Sequence, residues 1–316
     1  MSDARVPSTP VPGAPVRRPP APGVPPPEDR GAAGAGAGHG VDRPPGTPLA
    51  GAARPPRALG RINSRGIATL LKREMMVYVR FWPMSIGGPV LMTALYLAVF
   101  SLALGPQRAT EEGARVLPFI APGLVALAVL QRAAETCTFS IMIKKMEGGL
   151  TDILGAPLTA GEVVGAYVAA GAIAGLGTGS AVAAVVLGWT GTGLAHPLLA
   201  LAFMLGVGAM MAAFGVIVGI WAEKWDHVAA VYGFIILPIA FMSGIFAPVD
   251  ALPAPVDALV RLNPLYYLID GLRASVLGFD RATTSPWLAL GVVLALDAAL
   301  IWAAHRLLAS GYRIKG

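Results

Sequence analysis

Arg132 and Glu135 stand three residues apart in the middle of a long apolar stretch. On a helix that spacing puts both side chains on one face, close enough to pair. A charge inside a bilayer is costly, so such residues mark either a structural ion pair or a polar path for a substrate. Both readings stay open here. Asp297 stands alone in another apolar stretch, and His305 lies near the end of the same one. These groups are few and not chained along one face, so they do not make a proton relay.

Other chemistry is excluded by what the chain does not spell. No Gly-x-x-x-x-Gly-Lys-Ser/Thr run occurs, so no loop of that kind cradles a nucleotide phosphate. His-Glu-x-x-His, Gly-x-Ser-x-Gly and paired carboxylates within an apolar stretch are absent too. Cys137 is the single cysteine and has no Cys/His cluster, so it is expected to be a small core residue rather than a metal ligand or half of an internal disulfide. By itself the chain is expected not to be an enzyme.

The most informative polar run is Lys144-Lys145-Met146-Glu147-Gly148-Gly149-Leu150-Thr151-Asp152-Ile153-Leu154-Gly155-Ala156-Pro157. It separates two long apolar segments, so it is expected in water at one face of a bilayer. Met146, Leu150, Ile153 and Leu154 recur at helical spacing and form an apolar stripe on a short helix. Such a stripe either lies on lipid headgroups or docks on a partner protein. In the second case those four residues supply apolar contact, and Lys145, Glu147 and Asp152 supply polar register.

The surrounding elements fit a membrane protein. Of 316 residues, 55% are apolar and 13% charged, against about 25% charged in soluble domains. The net charge of +6 comes without any interleaving of basic and aromatic residues, so no nucleic acid is expected as a partner. Residues 1–60 differ from the rest. Arg17-Arg18-Pro19-Pro20, Pro25-Pro26-Pro27 and the Gly/Ala run from Gly31 to Gly38 cannot bury enough apolar surface to offset chain entropy. They predict a disordered Pro/Gly/Ala-rich tail without a signal-peptide core, ahead of a membrane domain over residues 61–316.

A basic amphipathic helix over 62–80 follows, with Asn63 or Ser64 as N-cap. Ile67, Leu70, Leu71, Met75 and Tyr78 or Val79 make its apolar face, while Arg65, Lys72, Arg73, Glu74 and Arg80 take the other positions. Such a helix lies in the bilayer interface among anionic headgroups, with or without a partner beside it. Six spans of about 20 or more apolar residues come next, at about 84–104, 117–143, 163–189, 198–222, 228–247 and 287–308. From Arg54 onward, thirteen Lys and Arg fall on the side of the Lys144 run: Arg54, Arg57, Arg61, Arg65, Lys72, Arg73, Arg80, Lys144, Lys145, Lys224, Arg306, Arg313 and Lys315. Five fall on the other: Arg108, Arg115, Arg261, Arg273 and Arg281. The positive-inside rule therefore places that run and both termini in the cytoplasm. Gly171, Gly175 and Gly179, and Gly215 and Gly219, make small-residue faces suited either to packing within one subunit or to a dimer seam.

Between Ala247 and Pro286, apolar positions from Val256 to Val260 and from Leu265 to Leu277 predict two short amphipathic helices split at Asn263-Pro264. Asp270 and Arg273 are spaced to pair. The two helices are expected to dip into the outer leaflet without crossing it.

Phe241-Met-Ser-Gly-Ile-Phe-Ala-Pro248, then Leu252-Pro253, Leu262-Asn-Pro-Leu-Tyr-Tyr267, Gly271-Leu-Arg273 and Leu277-Gly278 closely resemble the pattern of ABC-2-type transporter permeases. Phe119-Ile-Ala-Pro-Gly123 and Leu154-Gly-Ala-Pro157-Leu158, with Glu162 and Gly165 beyond, resemble the same family in order along the chain. The likeness runs from about Leu70 to Tyr312, is closest to the branch of nodulation-factor, polysaccharide and drug exporters, and leaves the tail out. It implies an all-α membrane protein of type V exporter-like architecture: six transmembrane helices, an N-terminal interfacial helix, and re-entrant outer helices between spans five and six. It also implies a bacterial inner membrane location, a homodimer or heterodimer of permease subunits, and separate ABC ATPase subunits that bind ATP-Mg in place of any cofactor on this chain. By that resemblance Lys145, Met146, Glu147, Leu150, Asp152, Ile153, Leu154 and Pro157 form the ATPase-coupling segment. Asn263, Pro264, Tyr266, Tyr267, Asp270 and Arg273 belong to the re-entrant outer helices. The rival reading is a secondary transporter driven by an ion gradient; internal repeats and chained membrane carboxylates would mark it, and neither is visible.

Overall fold

The computed structural model describes residues 63–104, 111–149, 156–245, 253–281 and 283–312. Leu150, Asp152, Ile153, Leu154 and the whole of the expected tail lie outside them. Among the described residues the secondary structure is helical, with no strand.

Asn63 caps α1 (Ser64–Arg80), its side chain accepting the Gly66 N–H at 3.0 Å, so the expected start is found. A π-helical turn, Pro83–Gly87, leads into α2 (Gly88–Leu104). Next come α3 (Glu111–Met146), α4 (Ala160–Thr190) and α5 (Pro197–Trp221). Thr159 and Glu162 form a reciprocal capping box at the head of α4, which satisfies N–H groups a helix start leaves unpaired. A helix with a π-helical segment inside it, α6 (Trp225–Phe241), is followed by α7 (Ala254–Leu262), α8 (Pro264–Leu277) and α9 (Pro286–Ala309). Proline at the first turn of α5, α8 and α9 costs nothing there, because its missing N–H would have no helical partner.

Among the described residues, five stretches are long and apolar enough to cross a bilayer: Pro83–Ala103, Val116–Met146, Ala160–Thr190, Pro197–Trp221 and Pro286–Ala309. They correspond to expected spans one to four and six. The fifth, expected over 228–247, is the shorter α6, which stops at Phe241. Pro238 has no N–H for the Phe234 carbonyl, and the turn before it opens into a π-helical segment, Tyr232–Ile236. The chain then turns at Gly244, whose φ of +77° suits glycine.

Helices α3, α4 and α5 make the centre. Their most apolar windows are 72%, 50% and 67% buried, against 11% around α2 and 22% in α9, so α2 and α9 lie at the periphery of the chain. Both glycine stripes turn inward to this centre. A Cβ on Gly171 would stand 2.8 Å from Cys137 Sγ, and one on Gly215 would stand 2.4 Å from the Ala134 carbonyl oxygen. Small residues here let helix backbones touch inside one subunit. Cys137 is the buried core residue expected, its thiol donating to the Tyr167 carbonyl at 3.2 Å.

Candidate functional site

At the end of α3 that carries the lysines, the polar side chains do not all face water. Lys144 is buried and donates to the Glu74 carboxylate and to Tyr167 Oη, the latter at 2.6 Å. Glu74, expected on the outer polar face of α1 with Arg65, Lys72, Arg73 and Arg80, is turned inward and 3% exposed. The cause is helical spacing: Glu74 lies four residues after Leu70 and seven after Ile67, on the stripe that packs. The four basic residues do stay exposed.

Lys145 Nζ donates to the carbonyls of Ile220 at 2.7 Å and Ala222 at 2.9 Å. A helix C-terminus leaves carbonyls unpaired and carries partial negative charge, so a cation there both caps and neutralises it. Met146 and Glu147 remain exposed. Where the chain returns, the Pro157 carbonyl accepts Asn63 Nδ2 at 3.0 Å, and the Asn63 N–H donates to Glu162. The two flanks of the 145–157 run are thereby bonded to α1, α4 and α5.

Arg132 and Glu135 pair at 3.3 Å, as their spacing predicts. They also face open space. A cavity of about 510 Å³ between α1 and α3 is lined by Val77, Phe81, Arg132, Glu135, Phe139 and Lys144 among others. A second, of about 220 Å³, continues along α3 past Thr93, Tyr96 and Leu124 and shares the same pair. Arg132 Nη2 further donates to the Met84 carbonyl at 3.3 Å, and Thr178 Oγ1 donates to the Ser85 carbonyl at 3.0 Å. Two neighbouring helices thus satisfy carbonyls of the π-helical turn. Asp297 is buried in α9 beside Gly206, with Oδ1 lacking a hydrogen-bond partner among the described residues.

At the opposite end of the bundle, α8 carries a buried polar cluster. Asn263 caps α8 through the Leu265 N–H and donates to the Ile239 carbonyl at 2.7 Å. Pro264 opens the helix, Tyr266 is buried, and the Tyr266 and Tyr267 rings meet edge to face at 5.3 Å. Asp270 accepts the Thr284 N–H at 2.7 Å and the Thr283 N–H at 3.2 Å, and lies 3.6 Å from Arg273. Arg273 donates to the Gly244 carbonyl and covers the Phe119 ring.

The partners of Lys144 and Lys145, and the contacts of Arg273 with Gly244 and Phe119, were not visible in the sequence, since each comes from a distant stretch. Glu74 did carry a signal, its place on the stripe of Ile67 and Leu70.

Long apolar helices packed through glycine, with charged residues gathered at the two ends of the bundle and in a groove along α3, define a multi-pass membrane protein. The chain belongs to the ABC-2 type transporter family, whose pattern matches residues 65–277, and it is therefore a transport permease subunit. It is 26% identical over 222 residues to the inner membrane transport permease YadH of Escherichia coli K12, covering 68% of this chain and 84% of that one. It is 30% identical over 215 residues to nodulation protein J of Rhizobium leguminosarum bv. viciae, covering 66% and 80%. For nodulation protein J of the trifolii biovar the values are 31% over 203 residues, 61% and 74%.

Proposed function

We propose that this chain is the membrane subunit of an ATP-driven exporter in a bacterial inner membrane, powered by a separate ABC ATPase that seats on the cytosolic segment 145–157. The observation that carries this reading is the pair of adjacent lysines. Lys144 fastens the end of α3 to α1 and α4, and Lys145 fastens it to the end of α5. A push on the segment just beyond them therefore acts on four helices together. Helix α3 has 36 residues, about 54 Å at ~1.5 Å per residue, longer than the ~30 Å hydrocarbon layer. Such a rod can carry the displacement to the outer cluster around Arg273.

The groove along α3 mixes apolar walls with the Arg132–Glu135 pair. That lining suits an amphipathic cargo such as a lipid-linked, polysaccharide-bearing or drug-like molecule, and two permease subunits would enclose it. Co-purification with the ATPase tests the reading. Leu150→Asp and Leu154→Asp are expected to abolish ATPase capture and transport while the permease still folds and inserts. Capture and transport that survive both substitutions would contradict it.

A further inference from the structure

Helix α1 rests mainly along α4 and approaches α3 in few places, because the cavity of about 510 Å³ separates them. Two polar straps bound that gap, one to α1 itself and one to the π-helical turn Pro83–Gly87 that follows it. At its deep end Arg132 of α3 reaches the Met84 carbonyl, and at its other end Glu74 of α1 meets Lys144 of α3. The second strap is the buried one, with side chains 3% and 6% exposed. A buried ion pair adds little net stability over apolar residues of similar size, because desolvation of both charges offsets their attraction. A need for packing alone would be met by leucine and methionine. What an ion pair plus the Tyr167 hydroxyl adds is fixed direction and register.

The position of the pair says what that register serves. Lys144 immediately precedes the segment 145–157, and Asn63 at the head of α1 holds the carbonyl of Pro157 at its far flank. Helix α1 is thus bonded to the chain on both sides of the segment. We propose that Glu74, Lys144 and Tyr167 form a positioning joint that makes α1 move as one body with the end of α3. Displacement of the segment then reaches α1 directly and changes the groove between its two straps together. The source of the displacement rests on the function proposed above; the joint itself does not.

Spin labels at Met76→Cys on α1 and Ile143→Cys on α3, exposed at 60% and 44%, report the separation of the two helices. They are read by pulsed electron paramagnetic resonance in the full-length permease in nanodiscs, on a Cys137→Ala background. The native pair is expected to give one narrow distance distribution. The Glu74→Leu/Lys144→Met chain is expected to keep its unfolding midpoint but broaden that distribution, Glu74→Gln to broaden it less, and the exchanged pair Glu74→Lys/Lys144→Glu to narrow it again. With purified ATPase, ATP and vanadate, the native separation stays constant and that of the apolar variant shifts. Apolar and glutamine variants with the native distribution overturn the joint. An ATPase that binds neither chain counts against the proposed function instead, and the comparison without ATPase still decides the joint.

Discussion

The Arg273 guanidinium carbon lies 3.9 Å from the centre of the Phe119 ring, and the same side chain donates to the Gly244 carbonyl at 2.8 Å. One residue of α8 therefore joins the N-terminal part of α3 to the turn after α6. All three partners come from stretches whose residues resemble the family, Phe119–Gly123, Phe241–Pro248 and Gly271–Arg273. Gly271 belongs to the same cluster: a Cβ there would stand 2.1 Å from the Phe203 ring. Motifs scattered over half the chain converge on a single closure at the far end of the bundle.

Removing its cation should loosen that closure. Arg273→Ala leaves Asp270 buried without its charge partner, a loss of about 3–5 kcal/mol. Phe119→Leu removes only the ring face under the guanidinium, about 0.5–2 kcal/mol. Thermal unfolding in detergent is expected to rank the native chain above Phe119→Leu and both above Arg273→Ala.

Lys145 should matter locally. Lys145→Met uncovers the Ile220 and Ala222 carbonyls and is expected to cost about 1 kcal/mol, a roughly fivefold change in local opening. Hydrogen exchange should speed up in the last turn of α5 and stay unchanged in α8. Equal speeding at both ends would mean that the lysine supports the whole bundle instead of one helix end.

The glycine stripes give a contrast within one residue type. Gly215→Ala forces a methyl against the Ala134 backbone, for an expected loss of about 1–3 kcal/mol. Gly165→Ala in α4 meets nothing within 4 Å and should gain about 0.5–1 kcal/mol from its better helix propensity. Melting midpoints check both signs. A Gly215→Ala chain that melts normally but changes oligomeric state would place that stripe on a subunit seam.

Arg132 and Glu135 should behave as a pair. They are 16% and 28% exposed, so solvent reduces the cost of losing one partner to about 1–2 kcal/mol. Arg132→Met is expected to destabilise the chain, and Arg132→Met/Glu135→Met to recover most of the loss. A double-mutant cycle on unfolding midpoints measures the coupling.

The long helices were legible because an apolar run of span length leaves few alternatives, and Asn63 was legible as a cap because its side chain acts on a neighbour in sequence. The Asp270–Arg273 and Arg132–Glu135 pairs were legible for the same local reason. Lys144 was not. A lysine beside a second lysine and a Gly-Gly pair reads as solvated, and its carboxylate partner lies 70 residues away on a helix that looks basic. Hydropathy over 228–247 does not show where the helix stops, because it averages over Pro238, whereas the backbone before that proline takes a π-helical turn. The glycine stripes were visible as stripes, but the surface they meet depends on how three helices cross.

Labelling of Met146→Cys with a membrane-impermeant maleimide, on a Cys137→Ala background, tests most directly whether an ATPase grips the chain beyond α3. The side chain is exposed and lies beside the two fastening lysines. Labelling is expected in inverted vesicles, not in right-side-out ones, with protection once the purified ATPase is added. Labelling from the outer face, or full labelling in the presence of bound ATPase, would contradict the power stroke proposed for this permease.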